Sequence, residues 1–253
     1  MLAGMIEHLA ALGRFGRFVG SVVARIVSPP WDLGEASRHI VLIVLRCLLP
    51  VTATVMPLGM VMALQGLQIF DLFGAQRLLS SLVSVAVLRE LSPVLASALV
   101  AAQGGSAFAA ELGAMRIKEE LDATEVMAVD GLRVHVVPRV IAATLATPML
   151  HIVGSFAGIV GGFVVAVLVK GEPASSYWSN LWALTQPVDL VGGIIKTLTF
   201  GAIIATVGTF KGFYATGGAA GVGRAVNETV VTAILSVIVV NYFLTSALFG
   251  AVQ

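Results

Sequence analysis

The sequence predicts an all-α integral membrane protein, with an N-terminal interfacial amphipathic helix, about five transmembrane helices, and a short helix in the polar connection between the second and the third. Three observations carry this reading. Hydrophobic residues make up 58% of the chain and charged residues 11%, with a mean hydropathy of +0.98, where a soluble domain carries about 25% charged residues. Several apolar runs exceed the ~20 residues that one bilayer crossing requires. Charge is also bunched: the stretch from Glu111 to Arg139 holds Glu111, Arg116, Lys118, Glu119, Glu120, Asp122, Glu125, Asp130, Arg133 and Arg139. A polar island between two apolar runs has to lie outside the lipid.

Residues 1–30 form the first unit. At 100° per residue, Glu7, Arg14, Arg17, Ser21 and Arg25 share one arc, while Met5, Leu9, Leu12, Phe15, Val19, Val22, Val23 and Ile26 face the other way. That is the pattern of a helix lying in the membrane interface with its arginines toward anionic headgroups. The basic residues lie within the apolar stretch instead of preceding it, which argues against a signal peptide. Ser28-Pro29-Pro30 ends the helix, because a proline has no N–H to donate and disfavours helix in the residue before it.

Residues 31–253 read as one domain. A first span runs from about His39 to Phe70, with Pro50 and Pro57 as bend points whose lost hydrogen bonds Thr52, Thr54 or neighbouring helices have to replace. Arg46 is close enough to the entry end to snorkel. Asp71 to Ser80 is a polar connection. A second span, about Ser81 to Ala110, carries Arg89-Glu90 before Ser92-Pro93, then Gln103-Gly104-Gly105-Ser106. Adjacent opposite charges inside a span need partners, and the pair reads as holding a broken helix.

Within the connection at about 115–130, Ile117, Leu121, Thr124 and Ala128 recur at helical spacing. Lys118 and Asp122 form an i, i+4 opposite-charge pair, and Gly131 is placed to end the helix. The third span, Val136 to about Val169, has Gly154, Gly158 and Gly162 on one face, a seam for close helix packing, with His151 as a hydrogen-bonded structural side chain. Lys170 to Pro187 is a turn-rich loop bearing Tyr177, Trp178 and Trp182, residues typical of the membrane interface. A fourth span, about Val188 to Phe210, contains Lys196, which reaches Asp189 only through a neighbour, and ends near Gly208 and Gly212. Gly217 to Asn227 reads as a glycine-rich loop, and Glu228 to Ala251 as the fifth span.

Basic residues orient the chain. With the charged connection inside, the inner regions hold Arg14, Arg17, Arg25, Arg38, Arg116, Lys118, Arg133, Arg139, Lys211 and Arg224, and the outer loops only Arg77 and Lys170. The net charge of +1 and the lack of a basic run argue against nucleic acid. None of Lys118, Lys170, Lys196 and Lys211 follows a glycine, so the chain has no Walker A loop. The Glu119-Glu120 pair has Thr124 where an intramembrane CAAX-type protease would need an arginine. Asp130-Gly131 lacks the downstream aspartates of a CDP-alcohol phosphotransferase. Cys47 stands alone, and His8, His39, His135 and His151 are scattered, so no disulfide or metal site is drawn.

From Arg89 to Arg139, the segments RELSPV, AAELGAMR, EELDATEVMAVD and VVPRV resemble the signature of the MlaE/YrbE permease family. Gly217 to Val231, GGAAGVGRAVNETVV, is similar to the A-type YrbE permeases of Mce lipid transporters. Many relatives carry an arginine where Gln103 stands. The resemblance implies a non-catalytic permease subunit of an ATP-driven lipid transporter in the cytoplasmic (inner) membrane. It makes the connection a cytoplasmic coupling helix whose Glu119, Glu120, Asp122, Ala123, Glu125, Val126 and Met127 dock into an ATPase, and it gives Asn227 and Glu228 to ATPase contact or a cytoplasmic gate. The implied partners are a second YrbE-type permease, in Mce systems a paralogue, an ABC ATPase dimer that binds ATP and Mg, and hexameric MCE proteins outside. The cargo would be a fatty acid, phospholipid or sterol held between the first, second and fifth spans. The residues themselves leave two other readings open: a secondary transporter coupled through Arg89, Glu90 or Lys196, for which inverted repeats would be expected and none is found, and a passive membrane scaffold.

Overall fold

The structure, a computed structural model, describes residues 2–28 and 31–250, and among the first twelve residues the side chain of Ala10 alone. The described residues form helices and no strand. In chain order these are α1 (Leu2–Val27), α2 (Leu33–Phe73), α3 (Gln76–Ile117), α4 (Glu120–Val126), α5 (Leu132–Val169), α6 (Ala174–Leu181), α7 (Pro187–Phe213) and α8 (Gly218–Phe249). Helices α2, α3, α5, α7 and α8 are long and apolar enough to cross a membrane. The chain is thus an all-α multi-pass membrane protein.

Each crossing helix outruns the apolar run that announced it, because hydropathy marks where lipid ends and not where the backbone stops being helical. Helix α2 starts at Leu33 behind Asp32, whose Oδ1 accepts from the Glu35 N–H at 3.0 Å, satisfying a donor of the first turn. It ends at Gly74, held at φ 62° in the left-handed region, which a glycine adopts without strain. The expected Asp71 to Ser80 connection therefore shrinks to Gly74 and Ala75. The glycine-rich loop at Gly217 to Asn227 is likewise corrected: Gly218 onward is already α8, and at Gly221 a Cβ would collide with the Thr216 carbonyl. The loop after α5 contains α6, whose Tyr177 is buried and donates its hydroxyl proton to the Ile159 carbonyl at 3.1 Å.

Pro50 and Pro57 both lie inside an unbroken α2. Thr52 and Thr54 bond the carbonyls of Leu48, Leu49 and Pro50, not those of Arg46 and Ala53, which the prolines leave without their i+4 donors.

Helix α5 sits at the centre. A Cβ on Gly59 of α2 would strike the Gly158 carbonyl, and one on Gly161 would strike the Met56 carbonyl. Gly154 and Gly158 face Val51, Val55 and Val87, while Gly162 meets Val83 and Tyr177. The glycine seam is therefore internal, and it sets the α2–α5 backbone separation. On the far side, α5 and α7 close in through Gly201, which fits against the Ala143 carbonyl and Thr147.

Helix α1 packs on this bundle through its C-terminal half. Phe18 and Val22 are buried, and Phe18 meets Phe210 edge-on with ring centroids 5.4 Å apart. Arg14 and Arg17 are exposed. The side chains of Met5, Glu7, Leu9 and Leu12, on which part of the amphipathic arc rests, lie outside the described residues, as do His8 and the helix-ending Pro29 and Pro30.

Candidate functional site

Two polar features stand out against the apolar bundle: a cluster between α3, α7 and α8, and the connection between α3 and α5.

The cluster forms around a π-helical turn, Val87–Leu91, in α3. Such turns arise where one extra residue must be accommodated and recur at functional sites. Pro93 follows and has no N–H for the carbonyl four residues back, that of Arg89. Lys196 of α7 supplies the missing donor, its Nζ 2.8 Å from the Arg89 oxygen. The same ammonium lies 2.8 Å from Glu90 Oε1 and 2.6 Å from Thr245 Oγ1. Glu90 is completed by Asn241 Nδ2 at 2.9 Å and by the Thr245 hydroxyl at 3.0 Å, both from α8.

Arg89 points the other way along α7, to Asp189. Its Nε and a terminal nitrogen both lie 2.7 Å from Asp189 Oδ1. The other Asp189 oxygen accepts from the Gln186 N–H at 2.9 Å, closing the first turn of α7. The Arg89 guanidinium also stacks 4.5 Å above the Phe249 ring, a favourable cation–π arrangement. Lys196 and Asp189 are fully buried. A buried charge is tolerable only when paired and hydrogen-bonded; both of these are, through the partly exposed Glu90 and Arg89.

The adjacent charges of α3 thus pair with α7 and not with each other, and Lys196 is not a partner of Asp189. Gln103 stands apart, exposed in a second π-helical turn, Ala101–Gly105, beside a small cleft with His39, Arg46 and Glu111. Asn241 and Thr245 are the members that periodicity missed. A lone asparagine deep in the fifth apolar run was the available signal.

The connection departs from its predicted form. Ile117 belongs to the end of α3, and the chain breaks at Glu119, which takes φ 60°. The short helix α4 stops at Val126, with Ala128 in the left-handed region at φ 58°. Gly131 is not its terminator: at φ −57° it leads into α5. The break also undoes the Lys118–Asp122 pair, since i, i+4 proximity needs continuous helix. Asp122 instead bonds Arg116 at 2.6 Å, and Lys118 lies 3.8 Å from Glu120.

Leu121, 1% exposed, anchors α4. Glu119, Glu120, Asp122, Ala123 and Glu125 are exposed, and Val126 and Met127 project at 88% and 66% exposure. At the base, Arg139 of α5 reaches Glu111 of α3 at 3.0 Å, and Arg25 of α1 reaches Asp130 at 2.6 Å. Burial by itself pushes the Asp130 carboxyl up. Hydrogen bonds from Arg25 and from the backbone N–H groups of Arg133 and Leu132 outweigh it and hold Asp130 below the usual carboxylate range.

Residues 36–247 match the sequence model of the family described as permease MlaE. The chain belongs to the MlaE permease family. It is 33% identical over 244 residues to a probable ABC transporter permease protein of Rickettsia felis, covering 96% of this chain and 94% of the relative. It is 34% identical over 253 residues to the intermembrane phospholipid transport system permease protein MlaE of Haemophilus influenzae, covering 98% and 95%. Against the chloroplastic protein TRIGALACTOSYLDIACYLGLYCEROL 1 of Arabidopsis thaliana it is 34% identical over 191 residues, 76% of this chain and 55% of the relative.

The MlaE match takes in the polar cluster and the connection, from α2 into α8, and begins after α1. It also covers Asn227 and Glu228, both exposed near the start of α8. Glu228 Oε2 lies 2.6 Å from Nζ of Lys211 near the end of α7, so this carboxylate already ties two crossing helices of the MlaE fold together at the α4 side of the molecule.

Proposed function

We propose that the chain is the membrane subunit of an ATP-driven transporter that moves lipids between a cytoplasmic membrane and an MCE protein tunnel. The observation that carries this reading is α4: an acidic, solvent-exposed knob with two bare apolar side chains, Val126 and Met127, fixed to the bundle by one buried leucine. A knob of this composition suits docking into a groove on a separate motor protein, which would bind the ATP and Mg. Glu119, Glu120, Asp122, Ala123 and Glu125 give it charge and close-packing surface. The Arg116–Asp122 pair links it to α3, and the Arg139–Glu111 pair ties α3 to α5, so a push on α4 would be delivered to α3 and passed on to α5.

Family membership supports the permease role, and the name of the Haemophilus relative, an intermembrane phospholipid transport system permease, supports a phospholipid among the candidate cargoes, with fatty acid and sterol as the others. Of the five crossing helices, α2 and α8 have the smallest share of buried residues in their most apolar stretch, which suits a second permease, a YrbE-type paralogue, with hexameric MCE proteins beyond the opposite face. Glu228 and Asn227 would sense the motor at the same end.

An ion-coupled carrier working through Arg89, Glu90 and Lys196 is the weaker reading, because all three charges are already paired within the chain. Co-purification of the ATPase with the tagged chain tests the choice. The paired change Glu120→Lys and Asp122→Lys is expected to release the ATPase while α2 to α8 stay folded; an ATPase that remains bound at wild-type yield would falsify the docking role of α4.

A further inference from the structure

We propose that a groove on the flank of the molecule holds the acyl chains of one anionic phospholipid from the leaflet on the α4 side. The groove lies between α1, α5, α7 and α8, and its volume is about 1120 Å³, above the ~300–1,000 Å³ of most small-molecule pockets. None of its lining residues comes from α2 or α3, so of the first, second and fifth spans it shares only α8 with a lipid path between them, and it does not rest on the transport reading.

Its walls are aliphatic: Val19 and Val23 on α1, Ile141 and Leu145 on α5, Ile203 on α7 and Val240 on α8. Four of the five hydroxyls on the lining, those of Thr144, Thr199, Thr206 and Ser236, are spent on their own helices. Thr144 donates to the Val140 carbonyl, Thr206 to Ala202 and Ser236 to Thr232, at 2.7, 2.6 and 2.8 Å. The surface left for a ligand is hydrocarbon, which selects a fatty tail over a polar molecule.

The depth fits one leaflet. Along α7 the lining runs from Thr199 to Lys211, a rise of about 18 Å along the helix, against about 15 Å for half of a ~30 Å hydrocarbon core. Lys211 therefore stands at headgroup level. The described charges on the lining stretch of α1 are all basic, with Arg14 and Arg17 exposed and flanking Phe15 and Arg25 engaged by Asp130. Two carboxylates oppose the basic residues, Asp130 on Arg25 and Glu228 on Lys211. The balance favours a negatively charged headgroup.

Photoactivatable phosphatidylglycerol and phosphatidylcholine, each with a diazirine in the acyl chain, test this in nanodiscs carrying the assembled complex. Phosphatidylglycerol is expected to label the peptides containing Ile203 and Ser236 roughly five-fold above phosphatidylcholine, the ~1 kcal/mol that one lysine contributes near an anionic surface. Labelling there should also exceed that at Phe156 and Leu72, which are exposed on the crossing helices outside the groove. Ala202→Trp fills the groove and should abolish the signal. Lys211→Gln should keep it and erase the preference between the two lipids. Equal labelling at Phe156 and Ile203, indifference to both substitutions, or a protein chain cross-linked to this face in place of lipid overturns the proposal.

Discussion

Lys196 answers two demands that the sequence imposes far apart. Pro93 strips a donor from α3, Glu90 brings a charge into the bilayer, and one ammonium 106 residues from Glu90 meets both. Periodicity reports only neighbours on the same helix, so Lys196 and Asp189 invited comparison while the true partners sat on α3 and α8. The expectation that Arg89 and Glu90 need partners was legible from cost alone; the identity of those partners was not. Because Lys196 is fully buried and Glu90 is 40% exposed at its side chain, Lys196→Met should lower stability by about 3 kcal/mol, toward the low end for a broken buried pair. Chemical denaturation of the solubilised protein measures this. Adding Glu90→Gln should return part of the loss, since the stranded carboxylate goes with it.

At the scale of elements, helix type and number were legible and helix ends were not. Apolar run length fixes what must lie in lipid, whereas the actual ends at Gly74, Glu119 and Ala128 follow from local backbone geometry. The glycine seam of α5 was legible as a seam, and its partner became visible only in three dimensions. Gly161→Val places a branched side chain against the Met56 carbonyl and is expected to cost about 1–3 kcal/mol, the range for overpacking a tight contact, read as a lowered melting temperature. Helix α1 is tethered by Arg25 to Asp130, side chains 29% and 39% exposed, which limits the pair to under about 1 kcal/mol. The Asp130 carboxyl is held below its free value. The tether is therefore at full strength above the ordinary carboxylate range and weakens as pH falls through the lowered value. Hydrogen exchange at Ala24 to Val27, corrected for its intrinsic pH dependence, should speed up on acidification, and Asp130→Asn should remove that acid response. No change in the wild type would count against the tether.

For the molecule as a whole, composition was enough to place it in a membrane, and the spacing of polar interruptions was enough to count its crossings. Which faces meet could not be read, because a membrane helix is apolar on the side that packs and on the side that meets lipid alike. Val126→Ala with Met127→Ala is expected to weaken ATPase co-purification without lowering the melting temperature, as both side chains are bare in the isolated chain; retention at full yield would count against α4 as the contact. Cys47 is the chain's sole thiol, is wholly enclosed between α2 and α3, and leans on the Leu99 carbonyl. A maleimide can reach that sulfur only when the packing around Cys47 opens, so its alkylation rate is a built-in clock for opening of the bundle at this point on α2, free of any competing signal from a second cysteine.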